Sequence, residues 1–173
     1  MSFLHPQRYV ARIDQIDVDE LVAQGVRLVL FDRDNTVVPR STRVADPAAV
    51  AWLGRVRAAG IGTCMISNNF HAAPVEASAA ELGSGGVHHA MKPAPFAVWV
   101  ALAREGVPAE QTVLVGDQML TDVAAGNLAG VRTILVRPQS RRDMWYTYAF
   151  RVAEHFLLRG HAFEGEDAGL CHE

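Results

Sequence analysis

The chain has 173 residues, half of them hydrophobic, and carries a net charge of −3. That is one domain's worth of polypeptide with enough apolar content for a substantial core, and its slight acidity leaves no bulk electrostatic case for nucleic-acid binding. Its two cysteines, Cys64 and Cys171, lie far apart and form neither a disulfide framework nor a clustered zinc site, and no run approaches the roughly 20 apolar residues of a membrane span. The N-terminus lacks the apolar run of a signal peptide, so a soluble cytoplasmic protein is expected.

The first 25 residues read as an extended lead-in with a short helix near 18–25. "VRLVLFD" (26–32) is a continuous apolar run that stops at Asp32, the pattern of a strand buried on both faces. "PAAVAWLGRVRAAG" (47–60) reads as a helix, with Asp46 as its N-cap, Pro47 in its first turn and Gly60 as its stop. "IGTCMIS" (61–67) is a second strand, "APVEASAAELG" (73–83) a helix and "GVHHA" (86–90) a short, weakly patterned strand. A helix over 95–106, a strand over 112–117 ("TVLVGD"), a helix over 120–130 and a last strand over 131–136 complete the series. Apolar strands alternating with helices predict an α/β, Rossmann-like fold of three layers, with a mainly parallel five-stranded sheet covered by helices on both faces.

"RRDMWYTYAFRVAEHFLLRG" (141–160) is expected to form a C-terminal amphipathic helix, because Met144, Tyr148, Val152 and Phe156 recur every four residues. Its plain role is packing on the sheet or at a homo-oligomer interface. Its aromatics and Arg141, Arg142, Arg151 and Arg159 also suit peripheral contact with an anionic membrane surface. The organisation expected is a single domain over 1–160, with residues 161–173 as a loose tail.

Ligands of open parallel sheets bind outside the carboxyl ends of the strands. Chemically loaded residues fall there at four separate junctions: Asp32 and Asp34, Ser67 with Asn68, Lys92, and Asp117 with Asp122. Crowded carboxylates repel one another unless a cation sits among them, and oxygen-only ligands favour a hard ion such as Mg²⁺. Mg²⁺ also bridges carboxylate and phosphoryl oxygens, so a phosphorylated substrate fits, with Ser67 and Lys92 as donors to it. Two carboxylates in one pocket can divide the work of nucleophile and acid/base. His71, His88 and His89 read as ordinary histidines, since the oxygen-rich set already accounts for a metal. Asn35 and Asn68 also suit turns, and no G-x-G-x-x-G fingerprint is present.

"FDRDNT", "ISNN", "KPAPFAV" and "VGDQMLTDVAAGNLAG", in this order and spacing, resemble the four motifs of the haloacid-dehalogenase (HAD) phosphatase superfamily, and in particular the YqeG-type branch of its subclass III. The resemblance runs from about residue 26 to 138, and more weakly over the C-terminal helix. It implies that Asp32 is the nucleophile that forms an aspartyl-phosphate and that Asp34 is the acid/base. It implies Mg²⁺ held by Asp32, the backbone carbonyl of Asp34 and Asp117, with Asp122 supporting the site. Ser67, Asn68 and Lys92 would bind the phosphoryl group. The intervals from Thr36 to Ser67 and from Ser67 to Lys92 leave no room for the cap domain that many members carry, so an open site is expected. Eukaryotic relatives of the branch are associated with phosphatidylglycerophosphate, so a small phosphate ester and this lipid headgroup both remain as substrates. Two other readings stand beside hydrolysis: a receiver-like phospho-acceptor module, and a catalytically silent interaction protein.

Overall fold

A computed structural model describes residues 3–39, 41–42, 44–139 and 162–165. The helix expected over 141–160 and Cys171 lie outside the described residues. The strands are β1 (Arg8–Val10), β2 (Leu28–Phe31), β3 (Gly62–Ile66), β4 (Gly85–Val87), β5 (Thr112–Gly116) and β6 (Arg132–Val136). The α-helices are α1 (Val18–Ala23), α2 (Pro47–Ala58), α3 (Ala72–Glu81), α4 (Phe96–Glu105) and α5 (Ala124–Ala129). All strands pair in parallel, in the order β1-β6-β5-β2-β3-β4.

The sheet therefore has six strands where the sequence predicts five. The extra one comes from the lead-in, where Arg8, Tyr9 and Val10 lie against Ile134, Leu135 and Val136 of β6. Three residues are too few to show a period of two, and only pairing with β6 makes them a strand. Residues 162–165, expected in a loose tail, lie beside it: Val10 bridges Glu164, and Phe163 is buried edge-on against Tyr9.

The central strand explains the three layers. Val29 and Phe31 join a core with Trp52, Leu53 and Val56 of α2 and Val75 and Ala79 of α3. Leu28 and Leu30 join a second core with Val98 and Ala101 of α4 and Ala125 of α5. Successive side chains of a strand point to opposite faces, so an unbroken apolar run feeds both layers. Helix α2 starts as its sequence indicates: the Asp46 carboxylate accepts from Ala48 N at 3.0 Å, and Pro47 occupies the first turn. Trp52 is fully buried and its indole N–H donates to the Ile16 carbonyl at 2.7 Å, so the one polar atom of a large core side chain is satisfied.

Two local departures bear on the site. The segment read as one helix over 120–130 begins with a π turn, Met119–Val123, before α5. The strand read over 86–90 ends at Val87, and His89 and Met91 take left-handed φ angles of 53° and 48°. Strand β2 lies between β5 and β3, so the chain's crossovers diverge on either side of it and open a crevice at its carboxyl end. No cap domain is inserted among the described residues: α2 alone joins β2 to β3, and α3 alone joins β3 to β4.

Candidate active site

Asp32 continues β2 by one residue, its N–H bonding the Val115 carbonyl at 2.9 Å. The chain then turns tightly. The N–H groups of Val37 and Val38 both donate to the Arg33 carbonyl, at 3.1 and 2.9 Å, and Asn35 N donates to the Val38 carbonyl at 2.9 Å. Asn35 holds φ at 63°, a left-handed value that asparagine tolerates better than most residues. Its expected turn-holding role is therefore what the backbone displays.

Lys92 reaches the same place from the loop after β4. Its buried ammonium donates to Asp32 Oδ1 at 2.5 Å, Asp122 Oδ1 at 2.6 Å and the Ile66 carbonyl at 3.2 Å. All three of its hydrogens thus have acceptors. The other Asp122 oxygen accepts the Gln118 N–H at 3.1 Å across the π turn, which aims this carboxylate inward. Gly116 makes that approach feasible, because a Cβ there would lie 2.4 Å from the Asp122 side chain. Only the structure shows what Gly116 packs against.

Asp117 joins the group at the end of β5. One oxygen each from Asp32, Asp117 and Asp122 all lie within 4.8 Å of one another, and all three residues are buried. Three carboxylates face one lysine, so negative charge is in excess. Burial pushes the Asp32 carboxyl up to about 7, and the charges of Asp122 and Asp34 add to this while Lys92 opposes it. Burial alone would lower the Lys92 ammonium, but the charges of Asp122 and Asp32 outweigh it and raise it above its ordinary value. A site with hard oxygen donors and surplus negative charge fits a divalent cation. No other group of three or more carboxylate, imidazole or thiol ligands converges among the described residues.

The remaining expected residues divide. Ser67 is buried directly after β3, where its N–H donates to the Val87 carbonyl at 3.0 Å and its Oγ accepts from Asn69 N at 3.2 Å. It does not cap α3, whose N-cap is His71. The Asn68 side chain brackets Lys92 instead of facing outward: its Oδ1 accepts the Lys92 N–H at 2.9 Å and its Nδ2 donates to the Lys92 carbonyl at 3.3 Å. The Asn68 amide is therefore engaged in fixing Lys92. The Asp34 side chain stands apart from the carboxylate trio and pairs with Arg33, whose Nη1 donates to Asp34 Oδ1 at 2.7 Å. The ring nitrogens of His88 and His89 lie 2.5 Å apart, beside Phe70 and outside the trio. A cavity of about 640 Å³ lined by Phe3, His5, Gln7, Asn127 and Val131 lies at the opposite, amino edge of the sheet, away from this chemistry.

The HAD-hydrolase-like family model matches residues 89–155. A Bacillus subtilis (strain 168) protein named "Probable phosphatase YqeG" is 32% identical over 157 residues, 91% of this chain and 91% of that protein. The chloroplastic phosphatidylglycerophosphate phosphatase 1 of Chlamydomonas reinhardtii is 32% identical over 172 residues, and the match spans 94% of this chain but 64% of the algal protein. Among solved structures, the cobalt-bound deoxy-D-mannose-octulosonate 8-phosphate phosphatase YrbI of Haemophilus influenzae superposes with a TM-score of 0.53 at 16% identity, over 79% of this chain and 89% of that one. An uncharacterized Listeria monocytogenes serotype 4b protein gives a TM-score of 0.54 at 18% identity, over 77% and 98%. These two share the fold.

Proposed function

The chain belongs to the HAD-like hydrolase family and is a phosphatase, and from that premise we propose that it hydrolyses phosphomonoesters through phosphorylation of Asp32, with Mg²⁺ as its metal. The observation that carries the reading is the Lys92 ammonium held between Asp32 and Asp122 beside Asp117. A carboxylate able to attack phosphorus, a fixed cation and a carboxylate cluster that fits a divalent ion at one sheet edge support the reading.

In the first step an Asp32 carboxylate oxygen attacks phosphorus and the ester P–O bond breaks. Asp34 gives its proton to the departing alkoxide, which leaves as an alcohol. In the second step the Asp34 carboxylate takes a proton from water as that water's oxygen attacks phosphorus. The Asp32–phosphorus bond breaks, and inorganic phosphate and the free carboxylate are restored. Lys92, held through its backbone by Asn68, and Ser67 stabilise charge on the phosphoryl oxygens. Asp32, the Asp34 carbonyl and Asp117, with Asp122 in support, would hold Mg²⁺, which would offset the carboxylate charges and supply electrostatic stabilisation to the phosphoryl group.

A sheet edge with no cap domain among the described residues suits a bulky phosphate ester, and the algal relative's name supports phosphatidylglycerophosphate as a lipid headgroup to test alongside small soluble esters. The test is a phosphate-release screen across soluble esters and phosphatidylglycerophosphate in mixed micelles, with Mg²⁺ or with chelator. Continuous turnover that needs Mg²⁺ and is abolished in Asp32→Asn is expected. A stoichiometric, long-lived phosphoprotein would point to a receiver-like module, and no phosphorylation or turnover at all to an interaction protein.

A further inference from the structure

We infer that Arg33 is a positioning residue that ties the Asp34 carboxylate to helix α3 through Ser78, a role that rests on reading Asp34 as the acid/base. The backbone around Asp34 is already fixed, because the Arg33 carbonyl accepts two N–H groups and Asn35 closes the turn onto Val38. What remains free is the direction of the Asp34 side chain, which is half-exposed and lies outside the metal-ligand trio. Arg33 constrains it from both ends of one guanidinium: Nη1 donates to Asp34 Oδ1 at 2.7 Å, and Nε donates to Ser78 Oγ at 2.9 Å.

Ser78 is buried on the same core-facing side of α3 as Val75 and Ala79, so the anchor is part of the packed layer. The arrangement uses the planar fork of arginine, whose separate nitrogens bond a hydroxyl and a carboxylate at once. A lysine has a single nitrogen and cannot reproduce both directions. A salt bridge between adjacent half-exposed residues contributes little to stability by itself. Its effect lies in orientation: the carboxylate is held at the mouth of the site and kept out of the metal cluster, where it would compete for the cation instead of transferring protons.

The test compares an alkyl phosphate with p-nitrophenyl phosphate, since proton donation matters most when the leaving group is poor. Arg33→Ala is expected to lower kcat on the alkyl ester by about tenfold, a part of the general-acid contribution, with a much smaller loss on p-nitrophenyl phosphate and unchanged Mg²⁺ affinity by calorimetry. Ser78→Ala should show the same bias more weakly, and Arg33→Lys should recover part of it. On an Asp34→Asn background, Arg33→Ala should add almost nothing. Equal losses on both esters, additivity with Asp34→Asn, or a fall in Mg²⁺ affinity would each overturn the assignment. If Asp34→Asn is itself biased toward poor leaving groups and Arg33→Ala is not, this inference falls alone; if Asp34→Asn is unbiased, the acid/base reading falls and takes the inference with it.

Discussion

The inner wall of the site and its outer lip are both built from ion pairs, yet burial gives them different physics. The Lys92 and Asp122 side chains are 3% and 2% exposed, whereas Arg33 and Asp34 are 26% and 37% exposed. In the inner pair each charge has lost its water and depends on its partner, so removing one partner strands the rest. In the outer pair water can replace either partner, so the contact guides direction more than it holds the fold. A phosphatase gains from this division. On the proposed reading, the nucleophile, the phosphoryl-binding cation and the metal ligands would sit in the dry wall, and the acid/base would sit at the lip, where water reaches it and Arg33 sets its direction.

The largest test of this contrast is Lys92→Met. It leaves Asp32 and Asp122 without their shared cation, and a loss of about 3–5 kcal/mol is expected in urea unfolding of the metal-free protein, together with loss of turnover. Arg33→Ala in the same measurement is expected to cost under about 1 kcal/mol. Similar costs for the two variants would erase the distinction between wall and lip.

Gly116→Ala sharpens the same point without removing any charge. The new Cβ would collide with Asp122, so a cost of about 1–3 kcal/mol is expected from overpacking. The displaced carboxylate should also weaken Mg²⁺ binding by about 10- to 100-fold in calorimetry. Unchanged Mg²⁺ affinity would remove Asp122 from the support of the metal site.

The smallest effect is in the pH dependence of the metal-free protein. The Asp32 carboxyl is raised from 3.8 to about 7 in the folded state. A raised carboxyl binds its proton more tightly in the folded than in the unfolded chain, so its stabilising contribution is full below about pH 4 and is lost as pH rises through about 7. With chelator present, the melting temperature should fall between pH 5.5 and 8, and this component should be absent in Asp32→Asn. Mg²⁺ needs the ionised carboxylate, so the stabilisation it provides should be larger at pH 8 than at pH 5.5. The opposite ordering would count against Asp32 as a ligand.

Much of this was legible in the amino acids. The unbroken apolar run before Asp32 could be stable only as a strand covered on both sides, which forces helices onto both faces. Asp46, Pro47 and Gly60 delimited α2 through local chemistry alone, and the ends of successive strands indicated which polar residues share one edge. The π turn at Met119–Val123 was not legible, because a 3.6-residue pattern continues through it and the inward pull on Asp122 comes from Lys92, 30 positions away. Nor was the docking of Phe163, which depends on β1 existing at all.

What the sequence determined by itself is therefore whatever depends on neighbours along the chain: the alternation of elements, the caps, and the delivery of Asp32, Ser67, Lys92 and Asp117 to one edge. The tertiary structure alone decided which polar atoms meet. It turned the Asn68 amide onto the Lys92 backbone, the Asp34 carboxylate onto Arg33, and the lead-in into a sixth strand. The reason is physical: periodicity and propensity act over a few residues, whereas burial and charge pairing act between any groups that the fold brings within a few ångströms.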